Sequence, residues 1–205
     1  MRDVDLQANL KSGNTYGDYT KETLTPKGTC VFIVLKFNKN QIHMLPRTIK
    51  ANRVKFITDA EDLSFLKDMT FITMKGSKGI EQFSISSKAK DITPALDIAT
   101  EVIAHGDVEV LPPNIPVFCK KLDLLGNKIK VLTEFPENLS YLTLSSNKKL
   151  KKVNLSIPFI KNMPSIYLGN TPLDFLEDTS DEEKKERLIN FVMLQNIPKI
   201  RQKKT

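Results

Sequence analysis

The chain has 205 residues, with 31 Lys and Arg against 24 Asp and Glu, a formal net charge of +7 and 40% hydrophobic residues. That balance describes a folded chain with room for one core and excludes a disordered polyelectrolyte. Two cysteines and two histidines are too few for a disulfide scaffold or a four-cysteine zinc site, and no apolar run approaches the ~20 residues of a membrane span.

Residues 1–28 are polar and rich in Gly, Thr, Asn and Lys, and are expected to form a flexible leader or N-terminal cap with a short helix at VDLQANLKS. They contain no apolar h-region, so a secretory signal is not expected. From Cys30 onward an apolar alternation recurs about every 20 residues. LKFNKNQIHMLPRTI presents Leu35, Phe37, Asn40 and Ile42, followed by Leu45-Pro46 and Ile49. Val54 and Phe56 come next, then Ile72 and Met74 with Ser77 where Asn would stand and Ile80 beyond. GIEQFSISS reads either as an extra short strand or, with TFITM and KGSKG, as a hairpin. Leu96 and Ile98 make another copy, with Glu101 in place of Asn and Ile103 closing it. Leu111-Pro112-Pro113-Asn114-Ile115 repeats the Leu-Pro element ahead of KKLDLLGNKIKVL, which carries Leu122, Leu124, Asn127 and Ile129. FPENLSYLTLSSN then sets Leu139, Leu142, Leu144 and Asn147 in the same frame, Leu142 standing 20 residues after Leu122. Ile166 and Leu168 form a last copy in which Asn170 falls one place early.

The repeat pattern stops at Pro172. Asp178, Thr179 or Ser180 can N-cap a helix whose first turn holds Asp181, Glu182 and Glu183, where acidic side chains oppose the positive end of the dipole. Leu188, Ile189, Phe191 and Val192 would cover the last repeat, Gln195 continues the 3–4 spacing, and Pro198 ends it. The tail KIRQKKT is basic.

Two apolar residues separated by one place their side chains on the same side of a strand. An Asn three residues later can bond backbone groups left open where the chain turns away, and Leu-Pro starts an extended return leg. One such unit cannot bury its apolar side alone, so several must stack, each strand pairing in parallel with the next. A β-sandwich would also alternate at this interval, but it requires neither Asn nor Leu-Pro at a fixed offset.

These residues resemble leucine-rich repeats, in particular the LPX-type repeats of bacterial type III secretion effectors, and are similar to repeat proteins of large phages and viruses. The resemblance spans about residues 30–175. It implies a leucine-rich-repeat solenoid: a curved parallel β-sheet on the concave side, short irregular or 3-10 return legs, and a C-terminal capping helix. The expected division is a leader or cap over 1–28, the array over 29–175, and a capping helix with basic tail over 176–205. Some of those effectors carry a ubiquitin-ligase domain with a catalytic cysteine; nothing after Pro172 corresponds to it, so that activity is not carried over.

No enzyme, cofactor or metal site is expected. Cys119 and Cys30 read as buried structural cysteines. His43 lies on a return leg without an acid–base partner, and His105 stands beside Asp107 with no nucleophile in view. KGSKG lacks the spacing of a phosphate-binding loop. The register assigns a partner-binding face to Lys36, Arg53, Lys55, Thr73 and Lys75 in the N-terminal half. In the C-terminal half it assigns Asp97, Lys121, Asp123, Tyr141, Thr143 and Tyr167, with the two tyrosines as candidate anchors. The expected function is a non-enzymatic protein-binding module, an adaptor, inhibitor or effector. It would act in the cytoplasm of the producing cell, or of a host cell if exported, with no membrane partner. The alternative is a nucleic-acid-associated protein using the basic residues, since the sequence pI is about 9.3.

Overall fold

A computed structural model describes residues 18–19, 23–25, 32–176 and 180–196 of the chain. Seven strands form one sheet: β3 (Phe32–Lys36), β5 (Arg53–Ile57), β7 (Ile80–Ser86), β8 (Ala99–His105), β9 (Lys121–Asp123), β11 (Tyr141–Thr143) and β13 (Ile166–Tyr167). They lie side by side in the order in which the chain makes them, and every neighbouring pair is parallel. The expected parallel sheet is therefore present.

The return legs hold more regular structure than the expected irregular or 3-10 turns. The 3-10 turns exist, at Lys39–Met44, Ser64–Asp68 and Asp174–Leu176. Beside them, β4 (Thr48–Lys50) and β6 (Thr70–Ile72) pair in parallel and continue onto β2 (Thr23–Thr25) and β1 (Asp18–Tyr19) as a four-stranded sheet. Further along, β10 (Val131–Thr133) and β12 (Lys152–Asn154) form a parallel pair. The stretch read as a leader thus contributes two strands. The helix expected at VDLQANLKS lies outside the described residues. The helices are α1 (Thr93–Leu96), α2 (Ile157–Asn162) and α3 (Asp181–Asn196).

Strand pairing lines up two inward columns across the large sheet. One runs Ile33, Val54, Phe83, Val102, Leu122, Leu142, Ile166, and all seven are fully buried. The second contains Leu35, Phe56, Ile85 and Ala104, and continues one residue beyond the short strands to Leu124, Leu144 and Leu168, all at most 1% exposed. Since alternate strand residues face the same way, these columns are the apolar alternation read from the sequence, stacked. Phenylalanines fill the wider N-terminal part, where Phe56 meets Phe37 and Phe83 edge to face at 5.3 and 5.2 Å.

Three repeat assignments are corrected. Leu35 aligns with Phe56, so the first strand carries Ile33 and Leu35; Phe37 lies past its end and Asn40 is exposed in a 3-10 turn. Ile72 ends β6 in the smaller sheet and Met74 follows it in a turn, while the strand of the large sheet is β7. The segment leading into β7 meets β6 through an isolated antiparallel bridge between Ile72 and Lys78 and a bond from Gly79 N to Phe71 O at 2.8 Å, and β7 itself pairs with β5 and β8 rather than closing a hairpin with β6. Leu96 ends α1, and the strand there is β8, with Val102 and Ala104 inward and Ile103 on the opposite side.

After β9, β11 and β13 the chain turns through one repeated device. Gly126, Ser146 and Asn170 each adopt a left-handed backbone, at φ 70°, 60° and 55°. The next residue plunges inward: Asn127, Asn147 and Thr171 are at most 5% exposed. Asn147 Nδ2 donates to Leu124 O (2.9 Å) and Leu144 O (2.7 Å), while Asn147 Oδ1 accepts from Ile129 N (2.9 Å). Asn127 does the same one unit earlier, donating to Ala104 O (2.7 Å) and Leu124 O (2.9 Å) and accepting from Val108 N (3.2 Å). Asn170 is displaced by one because it fills the left-handed position, which Asn tolerates. Thr171 takes the buried one, its Oγ1 accepting from Leu173 N at 3.0 Å.

Helix α3 closes the C-terminal end. Of the three N-cap candidates Asp178, Thr179 and Ser180, Ser180 makes the bond, its Oγ accepting from Glu183 N at 3.3 Å. Leu188 and Val192 are buried against the core. Two polar side chains occupy strand-edge groups that a further strand would have paired. Gln195 exchanges bonds with Val153 N and O (3.3 and 3.2 Å), and Lys184 Nζ donates to Ile166 O (3.1 Å). Among the described residues no helix is long and apolar enough to cross a membrane.

Candidate functional site

One side of the seven-stranded sheet is covered by the return legs; the residues between the inward columns point the other way. Pairing arranges them in rows. The first row reads Arg53, Gln82, Glu101, Lys121 and Tyr141, beginning at Phe32. The second reads Val34, Lys55, Ser84, Ile103, Asp123, Thr143 and Tyr167. A shorter third row holds Lys36, Ile57, Ser86 and His105.

Eight of the eleven face residues named from the sequence therefore lie on this side of the sheet: Lys36, Arg53, Lys55, Lys121, Asp123, Tyr141, Thr143 and Tyr167, of which Thr143 is buried. Three do not. Thr73 and Lys75 belong to the turn after β6, where Thr73 Oγ1 accepts from Ser77 N at 3.0 Å, and Asp97 is the C-cap of α1. Their places are taken by Gln82, Ser84 and Ser86 of β7 and Glu101, Ile103 and His105 of β8. The signal for these was the alternation I-E-Q-F-S-I-S, with Phe83 and Ile85 two apart and polar residues between.

Charge along the face is uneven. Lys36, Arg53 and Lys55 stand on the first two strands, β7 places Gln82, Ser84 and Ser86 in the rows with an exposed Glu81 near its start, where Oε1 accepts from Asn52 Nδ2 at 3.1 Å, and Glu101, Lys121 and Asp123 follow. Among the described residues no ion pair involves Lys36, Lys55, Glu101 or Lys121; the ion pairs Lys90–Glu109, Lys128–Asp107 and Lys130–Glu109 lie off the face. The Arg53 guanidinium sits 5.5 Å from the centre of the Phe32 ring. Asp123 Oδ1 accepts from Leu125 N at 2.9 Å, which fixes its carboxylate at the strand end.

At the C-terminal end the rings of Tyr141 and Tyr167 stack at 5.0 Å with a 36° tilt. Lys184 Nζ lies 5.9 Å from the Tyr167 centroid. Tyr167 is 42% exposed, while Tyr141 is half-buried. Partial burial pushes the Tyr141 phenol above its ordinary range, and the nearby Asp123, Tyr167 and Glu101 push it the same way. In the ladder Lys121 is the residue directly beside Tyr141, with Glu101 one strand further along the same row.

Cys119 is fully buried, its Sγ 3.6 Å from Lys121 O, and burial pushes the thiol up to about 11. A thiol protonated at neutral pH is a poor nucleophile. Cys30 lies outside the described residues. His105 Nδ1 is 3.0 Å from Leu125 O, a backbone contact at the top of the face. Below the N-terminal ends of β7 and β8 a cleft of about 610 Å³ is lined by Thr73, Lys78, Ile80, Asp97, Ile98 and Phe118 among others. Thr73 and Asp97 meet there, at the rim of the sheet. Among the described residues no group of three or more His, Cys, Asp or Glu side chains is placed to hold a metal ion.

Comparison of the chain with protein-family models, with curated proteins and with solved structures returns no significant match.

Proposed function

We propose that this chain is a leucine-rich-repeat solenoid that binds a partner protein through the outward face of its seven-stranded sheet, as an adaptor, inhibitor or effector without chemistry of its own. The repeat reading is supported by the stacked columns at 20-residue spacing in β9 and β11, and by Asn127 and Asn147 bonding the turns between successive units. The binding reading is carried by one observation: an open face on which a tilted tyrosine pair, ring centres 5.0 Å apart, stands among charged residues that form no ion pair among the described residues. Tyrosine offers large contact area at little conformational cost, and charged side chains on the same face can complement those of a partner.

The test is capture from nuclease-treated lysate at low and moderate salt, comparing the wild type with Tyr141→Ala/Tyr167→Ala and Arg53→Glu/Lys55→Glu. A stoichiometric protein retained by the wild type and lost with either double variant supports the reading. Retention by all three proteins alike refutes it. Lys36, Arg53 and Lys55 on adjacent strands favour a second reading, nucleic-acid binding, whose signature is loss of all capture with nuclease or salt. Against it, Glu101 and Asp123 stand on the same face and would repel a phosphate backbone laid along it.

A further inference from the structure

We propose that the flank of the molecule carrying Lys128, Lys130, Lys148, Lys149, Lys151 and Lys152 binds the phosphate backbone of a nucleic acid without reading its sequence. This surface lies off the outward face of the large sheet and away from Lys36, Arg53 and Lys55, so the proposal is independent of the protein-binding reading above.

After β9 the chain turns into β10 through Lys128, Ile129 and Lys130, and after β11 it turns into β12 through Lys148, Lys149, Leu150 and Lys151. Ile129, Leu150 and Val153 are buried, whereas all six lysines around them are exposed. Backbone bonds hold the two segments side by side. Lys151 N donates to Lys130 O at 3.2 Å, Lys152 pairs with Val131, and Asn147 Oδ1 accepts from Ile129 N. The lysine stems therefore rise from two segments about 4.8 Å apart, on a backbone already fixed by the buried asparagine. Lys128 and Lys130 reach back towards β8, where they meet Asp107 at 2.7 Å and Glu109 at 2.6 Å. Lys148, Lys149, Lys151 and Lys152 form no ion pair among the described residues.

Like charges gathered on a fixed backbone call for a polyanion, and the neighbouring side chains decide which one. Protein interfaces are built around an apolar, often aromatic centre from which lysine is depleted. Here the apolar residues point inward, and none of the exposed residues in 127–131 or 147–154 is apolar. The same absence disfavours a bilayer, where attachment adds apolar insertion to charge. A phosphate backbone needs only the ammonium groups, which act on it as point charges. No aromatic residue occurs in either segment, so there is no platform for stacking bases, and contact stops at the phosphates. Unlike the outward face, where Glu101 and Asp123 stand among the cations, the carboxylates here are confined to one border and already satisfied by lysines.

The experiment is fluorescence anisotropy of labelled DNA duplexes of two unrelated sequences, titrated with the full chain at several salt concentrations. Four free lysines predict a slope of log K against log salt of about −3.6, which is a loss of about 150-fold between about 50 and 200 mM. Both sequences are expected to bind alike. Replacing Lys148, Lys149, Lys151 and Lys152 together by Gln should cost at least about tenfold at the lower salt and flatten the slope, with the urea midpoint unchanged. Arg53→Gln/Lys55→Gln should leave duplex binding within about twofold, and the lysine variant should leave partner capture intact. Asp107→Asn/Glu109→Gln releases Lys128 and Lys130 and should tighten binding, steepening the slope by about 1.8. A gain of this kind cannot come from a misfolded variant. Equal affinity of the wild type and the lysine variant, or no duplex binding at the lower salt, overturns the proposal. So does tighter binding to phosphatidylserine vesicles or to an oligoglutamate peptide than to the duplex, which would put a membrane or an acidic protein segment in its place.

Discussion

Replacing Asn147 by alanine removes three hydrogen bonds from a side chain with no solvent exposure. The three losses differ in kind. Leu124 O keeps a second donor, Asn127 Nδ2 at 2.9 Å, and Leu144 O keeps the backbone N–H of residue 147 at 3.2 Å. Each of those lost bonds costs about 1 kcal/mol net. Ile129 N has no other acceptor among the described residues, and Ile129 is itself fully buried. Stranding that N–H adds about 2 kcal/mol, for a total near 4 kcal/mol. Urea unfolding followed by circular dichroism measures it directly, as a lowered midpoint at unchanged m. Asn147→Asp is expected to do worse, because a carboxylate would face the Leu124 and Leu144 oxygens that the amide now donates to. Asn40→Ala, at the exposed Asn of the first repeat, is expected to change stability by less than about 0.5 kcal/mol. A loss below about 1 kcal/mol for Asn147→Ala, or equal losses at Asn147 and Asn40, refutes the idea that the buried amide ties successive turns together.

Three further predictions use other parts of the fold. A Cβ at Gly106 would lie 1.9 Å from Ser87 O, where β7 and β8 leave the sheet backbone against backbone, so Gly106→Ala should cost about 3 kcal/mol or more. Gly126→Ala, with nothing within 4 Å of its Cβ, should lose only the ~1–2 kcal/mol of a left-handed alanine; thermal melts that rank them the other way would refute the clash. Ser146→Gly relieves a non-glycine residue at φ 60° and should stabilise by about 0.5 kcal/mol after the entropic cost of glycine, and a lowered urea midpoint would contradict this. The buried Cys119 thiol ionises near 11 rather than 9.0. Its contribution is therefore fully present below pH 9 and lost as pH rises towards 11, about 3 kcal/mol in all. Stability–pH curves of wild type and Cys119→Ala should converge over that window, and parallel curves would show that the thiol is not shielded.

Repeats around Leu122 and Leu142 were legible because two independent requirements coincide there. The strands are short, so the columns use only two apolar residues each, and the turn that follows demands a buried amide that nothing but Asn or a close substitute supplies. Between Phe71 and His105 neither condition holds. Strands β7 and β8 have seven residues each, with apolar Ile80 and Ile103 besides the inward pairs, and the residues three beyond Ile85 and Ala104 are Lys88 and Asp107. The alternation at Thr70–Ile72 is real, but it belongs to β6 of the smaller sheet, and a period of two does not say which sheet a strand joins. That ambiguity put Thr73 and Lys75 on the face in place of Gln82, while reading Leu96 and Ile98, at the end of α1, as a strand put Asp97 there in place of Glu101. The first repeat was offset by two residues because Phe37, beyond the strand end, is held in the core by edge contacts to Phe56 and Phe65 and so mimics a strand position. The Tyr141–Tyr167 pair was visible as two aromatics on neighbouring strands, and Asp123 as a face residue of β9, whereas Glu101 required the register of β8.

The order of strands in the large sheet has a consequence for synthesis on the ribosome. Each strand from β5 to β13 pairs with the one translated before it, so a strand emerging from the exit tunnel finds its template already in place and waits for nothing downstream. Helix α3 emerges after all of these strands, and its Lys184 and Gln195 occupy the exposed strand edges at Ile166 and Val153. Until it arrives, the growing end presents open backbone groups to any neighbouring nascent chain. This sixteen-residue helix therefore acts in time as well as in space: it ends the interval during which two copies emerging from one polysome could join edge to edge.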